Sequence, residues 1–423
     1  MKPIANVETL RRAEAALAQR VGHDALVRAA GFAVTLEAQS LLGTLYGRRV
    51  AVLCGPGTNG RDGRVSAREL ERRGAKVTVV EALEHPTRVG GVDLIIDAAF
   101  GVGCSRPYEP PRVDAPVLAV DLPSGVDADT GELLGEPLRA TRTLALGALK
   151  WAHVDGPAAS YCGDVALCDL GVEVPRDHGL LEPGDLEGLV PRAEDDHKWR
   201  HAVQVVAGST PMSGAAHLAC EGALAAGASL VLLLPRSPLR GETPREVVET
   251  SSLSDRVSAF VVGPGLGPRA RSWLSTLDWP RNVPMVLDAD ALRRRTVAHF
   301  SGRPLILTPH EGEFVRLNRR PLPPRRVPEV VDLAASLGAT VLLKGPRTLV
   351  ASPEGQVRVV VDSSPALATA GSGDLLAGTI GALLAYGHSP LEAAALGAEL
   401  HGLAGATWPR ASDFVEPLRR RRG

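Results

Sequence analysis

The chain has 423 residues, more than one hydrophobic core usually supports, and therefore we expect two domains. Apolar residues make up 44% of it and charged residues 22%, as in ordinary globular proteins, and the net charge of −1 argues against nucleic acid or a membrane surface as a partner. We expect no apolar stretch to reach the roughly 20 residues of a membrane-spanning helix. The five cysteines are scattered without a Cys-x-x-Cys pair, which predicts free thiols and a cytoplasmic location.

The first half alternates short β-branched runs with helical periodicity, a pattern typical of parallel sheets covered by helices. After Gly147 the sequence is irregular, and we predict ordinary surface packing for Lys150 and Trp151. The alternation indicates a three-layer, Rossmann-like α/β domain over residues 1–174. Helices are predicted at 8–20, 24–42 and 63–73, and strands at 49–54, 76–81, 93–97, 116–121 and 164–168.

Residues 55–60 (Gly-Pro-Gly-Thr-Asn-Gly) follow the first strand and precede a helix, and Glu81 closes the next strand. This is the G-x-G-x-x-G pattern with which dehydrogenases bind dinucleotides, because its glycines let the backbone approach a pyrophosphate. Asp62 lies at the start of that helix, however, and its charge would oppose the pyrophosphate. A dehydrogenase is therefore not the preferred interpretation.

Residues 175–196 are rich in Pro, Gly and acidic residues, which predicts a linker. A second alternation follows without an internal repeat, so we predict a different three-layer α/β domain over residues 197–423. Strands are predicted at 202–206, 229–234, 258–262, 284–287, 304–308, 340–343 and 347–351, and helices at 214–227, 312–317, 327–337, 373–386 and 390–405. Each domain should carry its site at the carboxyl ends of its strands.

Unusual polar groups follow several predicted strands of the second half. Taken singly, each is a common cap or turn residue, but together, on successive strand ends, they predict a ligand site. The segments are 262–267 (Val-Gly-Pro-Gly-Leu-Gly), 287–290 (Leu-Asp-Ala-Asp), 308–314 (Thr-Pro-His-Glu-Gly-Glu-Phe) and 343–346 (Leu-Lys-Gly-Pro).

Residues 370–374 (Ala-Gly-Ser-Gly-Asp) open an apolar helix. Small residues before a helix leave backbone N–H groups free to bind an anion, at the positive end of the helix dipole. A carboxylate there would repel phosphate unless it takes a proton from a hydroxyl that attacks a phosphoryl group. Asp374 is thus a candidate base for nucleotide-dependent phosphoryl transfer, and an ordinary glycine-rich helix start is the alternative.

In this order, the motifs of residues 195–410 resemble those of the ADP/ATP-dependent NAD(P)H-hydrate dehydratases, which have a ribokinase-like fold. The resemblance implies a repair reaction in which a nucleotide phosphoryl group activates the hydroxyl at C6 of hydrated NADH or NADPH and elimination restores the cofactor. Mg²⁺ is expected because it bridges transferring phosphates. The resemblance gives Asp374 as base, Gly265, Gly267, His310 and Asp374 as contacts of the hydrated cofactor, and Lys344, Gly345, Pro346, Arg347, Thr348, Gly371, Ser372 and Gly373 as nucleotide contacts.

The family usually has an Asn-Pro-Thr-Gly-Asn-like stretch before these glycines, where residues 362–366 here read Asp-Ser-Ser-Pro-Ala. One glycine, Gly208, also stands after the first strand of this half where two are usual. Both departures bear on nucleotide affinity, and neither removes the base.

Residues 58–63 (Thr-Asn-Gly-Arg-Asp-Gly), 96–103 and 120–127 resemble, in order, the motifs of the NAD(P)H-hydrate epimerases. That family binds K⁺, and the resemblance places the ion at Asn59, Asp97 and Ser124. Asp121 is the expected residue for proton transfer. The implied contacts of the hydrated cofactor are Thr58, Asn59, Gly60, Arg61, Asp62, Gly101, Val102, Gly103, Cys104, Ser105, Arg106, Pro107 and Asp121.

Two residues depart from the epimerase pattern: Thr58 replaces an Asn, and Arg61 replaces a Gly. The first domain could therefore be a degenerate binding or scaffold module. We predict a cytoplasmic, homo-oligomeric, bifunctional enzyme that acts on hydrated NADH and NADPH (NADHX and NADPHX) with ADP or ATP. The alternatives are a ribokinase-like kinase of a small alcohol with a non-catalytic first domain, and a dinucleotide-sensing or assembly protein.

Overall fold

The computed structural model describes residues 1–191, 193–361, 364–405 and 410–421, and the chain forms two compact units. The first unit comprises Lys2–His178 and Pro324–Arg326. The second comprises Met1, Gly179–Pro323 and Val327–Gly423. The segment 175–196 contains a short strand, His178–Leu180, and a 3₁₀ turn, Pro183–Leu186.

The first unit is built on a sheet of six parallel strands in the order β2-β1-β3-β4-β5-β6. These strands are β1 (Arg49–Cys54), β2 (Lys76–Glu81), β3 (Leu94–Ala98), β4 (Val117–Val120), β5 (Arg142–Leu146) and β6 (Asp164–Cys168). The helices are α1 (Val7–Val21), α2 (His23–Leu42), α3 (Thr58–Arg72) and the short α4 (Trp151–Val154). The five predicted strands are confirmed, whereas β5 was not predicted because its apolar run is short.

Alternation along β1 places its side chains on the two faces of this sheet. Val50, Val52 and Cys54 join α2 and α3 in one core, and Leu53 packs with loop residues on the opposite face. α3 begins at Thr58, five residues before the predicted start, because Gly60 and Gly63 mask its periodicity. A Cβ at Gly60 would lie 1.9 Å from the carbonyl oxygen of Gly55, so this turn requires a residue without a side chain.

By length and composition, α2 could cross a membrane, so the expectation that no stretch reaches this length is wrong. Buried helices in the cores of soluble proteins can be equally long and apolar, so one such helix is weak evidence for a membrane span. Val27, Ala30, Val34 and Ala38 of α2 are buried inside the unit.

The second unit contains a sheet in the order β15-β14-β13-β12-β11-β10-β7-β8-β9. Pairing is parallel from β9 to β13 and antiparallel from β13 to β15. The strands are β7 (Ala202–Val206), β8 (Leu230–Leu234), β9 (Val247–Glu249), β10 (Ala259–Val262), β11 (Met285–Leu287), β12 (Leu305–Leu307), β13 (Thr340–Leu343), β14 (Thr348–Ala351) and β15 (Val357–Val360). The seven predicted strands of this half are confirmed, and β9 and β15 were missed.

Helices cover the faces of this sheet, as the three-layer prediction requires. α5, α10 and α11 share one core with the strands, while Phe260, Trp279 and Phe300 pack edge to face in a separate aromatic group. The helices are α5 (Ser213–Ala225), α6 (Ala270–Leu274), α7 (Arg294–His299), α8 (Glu311–Asn318), α9 (Val327–Leu337), α10 (Ser372–Ala385), α11 (Pro390–Ala404) and α12 (Val415–Arg421).

The contact between α5 and α10 is made by backbone. A Cβ at Gly222 of α5 would lie 2.1 Å from the carbonyl oxygen of Leu375, and one at Gly378 of α10 would lie 1.9 Å from that of Ala219. Interiors are packed too densely to absorb such overlaps, so both positions require glycine. The contact fixes the axis of α10, whose first turn carries Asp374.

Candidate active sites

In the second unit, the polar residues predicted at strand ends do meet. Asp288 follows β11, Thr308 follows β12 and Lys344 follows β13, and these strands are neighbours in the sheet. The carboxylate Oδ1 of Asp288 accepts a 2.7 Å hydrogen bond from the Thr308 hydroxyl and lies 3.1 Å from Nζ of Lys344. Asp288 is buried, so this ion pair and hydrogen bond compensate a charge that water does not reach.

The first turn of α10 faces this pair. A Cβ at Gly373 would lie 3.1 Å from Nζ of Lys344, so the ammonium group lies against the helix start. Gly371 is the N-cap, and the Ser372 hydroxyl donates to the carbonyl oxygen of Leu367 at 2.7 Å. The backbone N–H groups of this turn and the lysine together form a positive site suited to phosphate.

Burial, and secondarily the nearby carboxylate of Asp288, raises the pKa of Asp374 to about 7, against the lowering effect of Lys344. Asp290 and Glu313 add smaller raising effects. A carboxyl group with a pKa near neutrality can take a proton from a hydroxyl and release it afterwards. Asp374 therefore has the properties that a general base in this site needs.

His310 caps α8 beside Lys344. Its Nδ1 accepts hydrogen bonds from the backbone N–H groups of Gly312 (3.0 Å) and Glu313 (3.4 Å), and its backbone pairs with that of Lys344 in a parallel β-bridge. Nδ1 is therefore unprotonated, and Nε2 of the largely exposed ring lies 3.5 Å from Oε2 of Glu313. The capping role accounts for the residue type, and the exposed ring can contact a ligand.

The predicted cofactor loop lies after β10. The carbonyl oxygen of Gly265 accepts a 2.8 Å hydrogen bond from the Ser209 hydroxyl, and the N–H of Gly267 donates to Oδ2 of Asp290 at 2.7 Å. Both glycines have positive φ, 61° and 80°, which fixes the loop in a form that other residues rarely adopt.

The predicted nucleotide segment forms the turn between β13 and β14. Gly345, Pro346 and Arg347 lie in this turn, and the Thr348 hydroxyl donates to the carbonyl oxygen of Gly345 at 3.3 Å. Lys344, at its start, is the member that the structure brings to Gly373 and Asp288. Asp362 and Ser363, where the sequence departs from the family pattern, lie outside the described residues.

In the first unit, Asp121 follows β4 with a φ of 67°. Its carboxylate Oδ1 pairs with Nζ of Lys150 and accepts a 3.1 Å hydrogen bond from the N–H of Leu146. Lys150 is fully buried, so the prediction that it packs at the surface is wrong. A left-handed backbone in a residue other than glycine is strained, and such strain concentrates at functional sites.

His153 holds the backbone of Asp121. Its Nδ1 accepts the N–H of Lys150 at 3.0 Å, and therefore its Nε2 carries the proton and donates to the carbonyl oxygen of Asp121 at 2.8 Å. Burial, and secondarily the charge of Lys150, lowers the pKa of His153 to about 4. The neutral imidazole thus positions Asp121 across the neutral pH range.

Asp62, near the start of α3, is the second carboxyl group of this site. Burial, and secondarily the Asp121 carboxylate, raises its pKa to about 8. Its Oδ1 has no hydrogen-bond partner among the described residues. Asp62, Thr58 and Glu14 line a cavity of about 270 Å³, and burial followed by the Asp121 charge also raises the pKa of Glu14.

The three residues predicted to bind K⁺ belong to three neighbouring strands of the sheet or to the segments that follow them. Asn59 follows β1, Asp97 lies near the end of β3, and Ser124 follows β4. The fully buried carboxylate of Asp97 accepts hydrogen bonds from the Ser124 N–H (2.8 Å), the Ser124 hydroxyl (2.6 Å) and the Ala99 N–H (3.3 Å). Asn59 donates to the carbonyl oxygen of Val120 at 3.2 Å. All the donors to Asp97 are neutral, and among the described residues it forms no salt bridge. Burial raises the pKa of Asp97, and a bound cation would compensate its charge.

The predicted epimerase loop, residues 101–107, comprises Gly101, Val102, Gly103, Cys104, Ser105, Arg106 and Pro107 and is partly exposed. A Cβ at Gly101 would lie 3.3 Å from Cγ of Asn59 and 3.4 Å from Oδ2 of Asp121, so this end of the loop joins the site. Arg61 instead extends to the surface, where its guanidinium lies 2.8 Å from Oδ1 of Asp24.

Several groups received no role from the sequence. Asp288 and Thr308 belong to the strand-end motifs. Because these motifs follow adjacent strands, their positions could have predicted a contact with Lys344. Lys150 follows the apolar pair Ala148-Leu149, an unusual place for a surface lysine. Among the described residues, no group of three or more His, Cys, Asp and Glu side chains forms a metal site.

Comparison with known proteins covers both units. The family described as NAD(P)H-hydrate dehydratase matches residues 203–418, and that described as YjeF-related protein N-terminus matches residues 23–90 and 80–152. A bifunctional NAD(P)H-hydrate repair enzyme of Mycobacterium tuberculosis is 37% identical over 441 residues, which cover 93% of this chain and 92% of the relative. The chain belongs to the bifunctional NAD(P)H-hydrate repair enzymes.

Other members and solved structures agree. The repair enzyme of Mycobacterium leprae is 35% identical over 96% of this chain and 94% of its own length. The ADP/ATP-dependent NAD(P)H-hydrate dehydratase of Bacillus subtilis, co-crystallised with ATP/Mg²⁺, superposes with a TM-score of 0.51 and 27% identity over 57% of this chain and 96% of that chain. A ribokinase-like protein of Enterococcus faecalis (TM-score 0.52, 22% identity, 59% of this chain and 97% of that chain) shares the fold.

The predicted function of this repair enzyme is therefore confirmed: it interconverts the R and S forms of hydrated NAD(P)H and dehydrates the S form with a nucleotide. The ribokinase-like fold of the second unit is confirmed as well. The family favours this function over the alternative of a small-alcohol kinase with a non-catalytic first domain.

Proposed function

We propose that Asp374 is the base of the dehydratase and that Asp121 and Asp62 exchange protons in the epimerase. The observation that carries the first role is the position of Asp374 in the first turn of α10, beside Lys344 and Asp288 and with a pKa raised to about 7. Hydroxide is a poor leaving group and phosphate is a good one, so a phosphoryl group transferred to the C6 hydroxyl makes dehydration feasible.

In the second unit, Asp374 takes the proton of the C6 hydroxyl as that oxygen attacks the terminal phosphoryl group. The N–H groups of Gly371, Ser372 and Gly373 and the ammonium of Lys344 stabilise the charge on the phosphoryl oxygens, each oriented donor contributing about 3 kcal/mol. Elimination of phosphate and of the C5 proton then restores the nicotinamide ring. Asp288 orients Lys344 through their 3.1 Å ion pair.

The remaining predicted contacts hold the two substrates. The turn from Gly345 to Thr348 would bind the nucleotide, and Gly265, Gly267 and His310 would bind hydrated NAD(P)H. Mg²⁺, which accompanies ATP in the Bacillus subtilis dehydratase crystals, would neutralise charge on the transferring phosphates when bound. ADP and ATP are both proposed donors.

In the first unit, the pair Asp121 and Asp62 supplies a base and an acid. Asp121 is ion-paired with Lys150 and can accept a proton, while the raised pKa of Asp62, about 8, keeps it protonated at neutral pH. C6 carries both the hydroxyl and the ring nitrogen. Asp62 protonates the hydroxyl, which leaves as water while the ring nitrogen stabilises the positive charge at C6. Water that adds to the opposite face gives a proton to Asp121, and the carbon is inverted. Loop residues 101–107, with Thr58, Asn59, Gly60 and Asp62, would hold the cofactor, whereas Arg61 pairs with Asp24 at the surface.

K⁺ is proposed at Asn59, Asp97 and Ser124. A carboxylate, an amide and a hydroxyl are hard oxygen ligands, and one full charge suits a weakly held monovalent cation. When bound, the ion would neutralise Asp97 and fix the turn at Phe100, whose N–H donates to the Ser124 hydroxyl at 2.8 Å. This turn leads directly into the cofactor loop.

Absorbance at 340 nm tests the dehydratase proposal. Purified protein is mixed with S-NADHX or S-NADPHX, Mg²⁺, and ADP or ATP, and we expect the absorbance of the reduced cofactor to return only when a nucleotide is present. Full recovery from a mixture of both epimers, faster than spontaneous epimerisation allows, reports the epimerase. Absence of recovery with either nucleotide would contradict the proposal.

We also propose a cytoplasmic location. All five cysteines lie among the described residues and are free thiols, which is typical of a reducing compartment. The homo-oligomeric state stays a prediction, and sedimentation of the purified protein measures it.

A further inference from the structure

An arginine-lined cavity of about 420 Å³ opens beside Gly267 in the second unit. A volume of this size is typical of sites for small ligands. Asp290 is the acidic residue in its lining, and Leu292, Leu317 and Pro268 supply apolar surface. Six arginines line it: Arg271, Arg293, Arg294, Arg295, Arg316 and Arg319.

Most of this positive charge has no partner among the residues that the structure describes. Asp290 accepts the N–H of Gly267 at 2.7 Å, and Arg316 lies 3.7 Å from Oε1 of Glu313. Nε of Arg294 donates to the carbonyl oxygen of Leu317 at 2.6 Å. In the described ranges, the other four arginines of the cavity form no ion pair. Like charges gathered without a counter-ion repel one another, which favours an anionic ligand between them.

The arginines are also placed against the preference of the helix that they precede. Arg293 is the N-cap of α7, and Arg294 and Arg295 are its first two residues. Positive charge at a helix N-terminus is unfavourable, so helix stability does not explain three consecutive arginines there.

The cavity continues from the predicted site of hydrated NAD(P)H. Gly267 lies in its lining and in the cofactor loop, and a Cβ at Gly267 would lie 3.5 Å from a terminal guanidinium nitrogen of Arg236. Nε of Arg236 is buried and, in the part of the chain that the structure describes, has no hydrogen-bond partner. The predicted nucleotide contacts at residues 344–348 and 371–373 are absent from this lining.

We propose that this arginine-lined cavity binds the 2′-phosphate of hydrated NADP, so that the dehydratase half prefers NADPHX to NADHX. The proposal rests on the proposed function of the second unit. A phosphate monoester has three terminal oxygens and nearly two negative charges, and guanidinium groups bind such a group with paired hydrogen bonds. The pyrophosphate is common to both substrates and cannot discriminate between them, whereas the 2′-phosphate is present only in NADPHX.

The test compares kcat and KM for S-NADPHX and S-NADHX at saturating ATP, in the wild type and in the double variant Arg293→Gln/Arg295→Gln. Both arginines are exposed, so their replacement spares the core. We expect the wild type to favour NADPHX, and the variant to raise the KM for NADPHX about tenfold or more, with kcat and the KM for NADHX unchanged. The control, Arg281→Gln/Arg320→Gln, removes the same charge from exposed positions outside the cavity and should change neither KM.

Equal rises in both KM values would overturn the proposal, because they would assign the cavity to the pyrophosphate. A wild type without preference, or a rise in the KM for ATP alone, would overturn it too. Calorimetric binding of adenosine 2′,5′-bisphosphate at saturating ATP provides a readout that needs no turnover. Binding that the Arg293→Gln/Arg295→Gln variant weakens supports the cavity even if dehydration fails, and absence of binding to an active enzyme contradicts it.

Discussion

The two units hold their carboxyl groups in similar arrangements. Each pairs an aspartate at a strand end with a lysine, Asp121 with Lys150 and Asp288 with Lys344. Each also places a second aspartate near the start of a helix, where burial, and then the charge of the paired aspartate, raises its pKa: to about 8 for Asp62 and about 7 for Asp374. An ion-paired carboxylate beside a second carboxyl group with a raised pKa gives each site groups that can exchange protons.

The two lysines differ in their access to solvent. The Lys150 side chain is 0% exposed and also donates to the carbonyl oxygen of Leu146, whereas the Lys344 side chain is 23% exposed and lies against the N–H groups of α10. The enclosed lysine can only hold Asp121 in place. Lys344 is accessible and can exchange its contact with Asp288 for one with a nucleotide phosphate. Dehydration uses a nucleotide, whereas epimerisation does not.

The largest effect is expected at Asp374. Asp374→Asn keeps the shape of the side chain and removes the base, so dehydration should fall by about 10²–10⁴. Binding of ATP, measured by calorimetry, should remain nearly unchanged, and epimer interconversion should continue. Turnover near the wild-type rate would exclude Asp374 as the base.

The lysine comparison predicts a kinetic defect that belongs to Lys344 alone. Lys150→Met leaves Asp121 buried without its cation and should lower the free energy of unfolding by about 3 kcal/mol. Lys344→Met likewise leaves the buried Asp288 without its cation and should cost a similar free energy, but it should also raise the KM for the nucleotide. Urea unfolding and dehydratase kinetics of both variants measure these effects. A KM for the nucleotide that both variants raise, or that neither raises, would remove the distinction between the two lysines.

K⁺ should matter to one unit only. Asp97→Ala removes the proposed full charge of the ion site, and we expect epimerisation to lose its K⁺ dependence and fall at least about tenfold. Dehydration of pure S-NADHX should proceed as in the wild type. Loss of both activities would show that the two units do not act separately, and a wild-type response to K⁺ would place the ion elsewhere.

Dehydration should depend on pH through Asp374. Because its pKa is about 7 and the base is the ionised form, kcat/KM for S-NADHX should rise from pH 6 to pH 8 and then level off. Stability has the opposite dependence, since a folded pKa above the unfolded one means that stability falls as pH rises from about 4 to about 7. Asp374→Asn should therefore raise the free energy of unfolding at pH 8, by at least about 1 kcal/mol, and much less at pH 5. A pH-independent difference would contradict the assigned titration.

The smallest effect is expected at Arg61. Its side chain reaches an exposed Asp24, and such surface pairs contribute roughly 0–1 kcal/mol. Arg61→Gly should thus leave the epimerase rate within about twofold and cost little stability beyond the loss of a helix-favouring residue. A large gain in epimerisation would show that Arg61 impairs the loop, despite its outward orientation.

The strands and the ligand-binding edge of each sheet were predictable from local sequence. β1, β2, β6, β7 and β13 have their predicted bounds because long β-branched runs end at turn residues. β5 lacks such a run and forms through pairing with its neighbours, whereas β15 (Val-Arg-Val-Val) has one and could have been predicted. The interior position of Lys150 depends on a side chain that crosses from the end of β5 to Asp121, a long-range contact that no local pattern encodes.

For the site residues too, the sequence predicts what local motifs encode and misses what depends on long-range packing. The order of the motifs predicts that Lys344, His310 and Asp374 share one site, since adjacent parallel strands deliver their ends to one edge of the sheet. The raised pKa values of Asp62 and Asp374 arise mainly from burial, which depends on packing across the whole unit. The arginine-lined cavity likewise collects residues 271, 293–295, 316 and 319 from separate loops and helices.

The close contact of α5 and α10 makes catalysis sensitive to a site remote from it. Gly378 lies one turn beyond Asp374, and its α-carbon is pressed to the carbonyl of Ala219 with no room for a methyl group. A single added methyl group there would displace α10 from α5 and move Asp374 away from the C6 hydroxyl of the substrate. A substitution of this buried glycine would therefore reduce activity as an active-site substitution does, although the residue contacts no ligand.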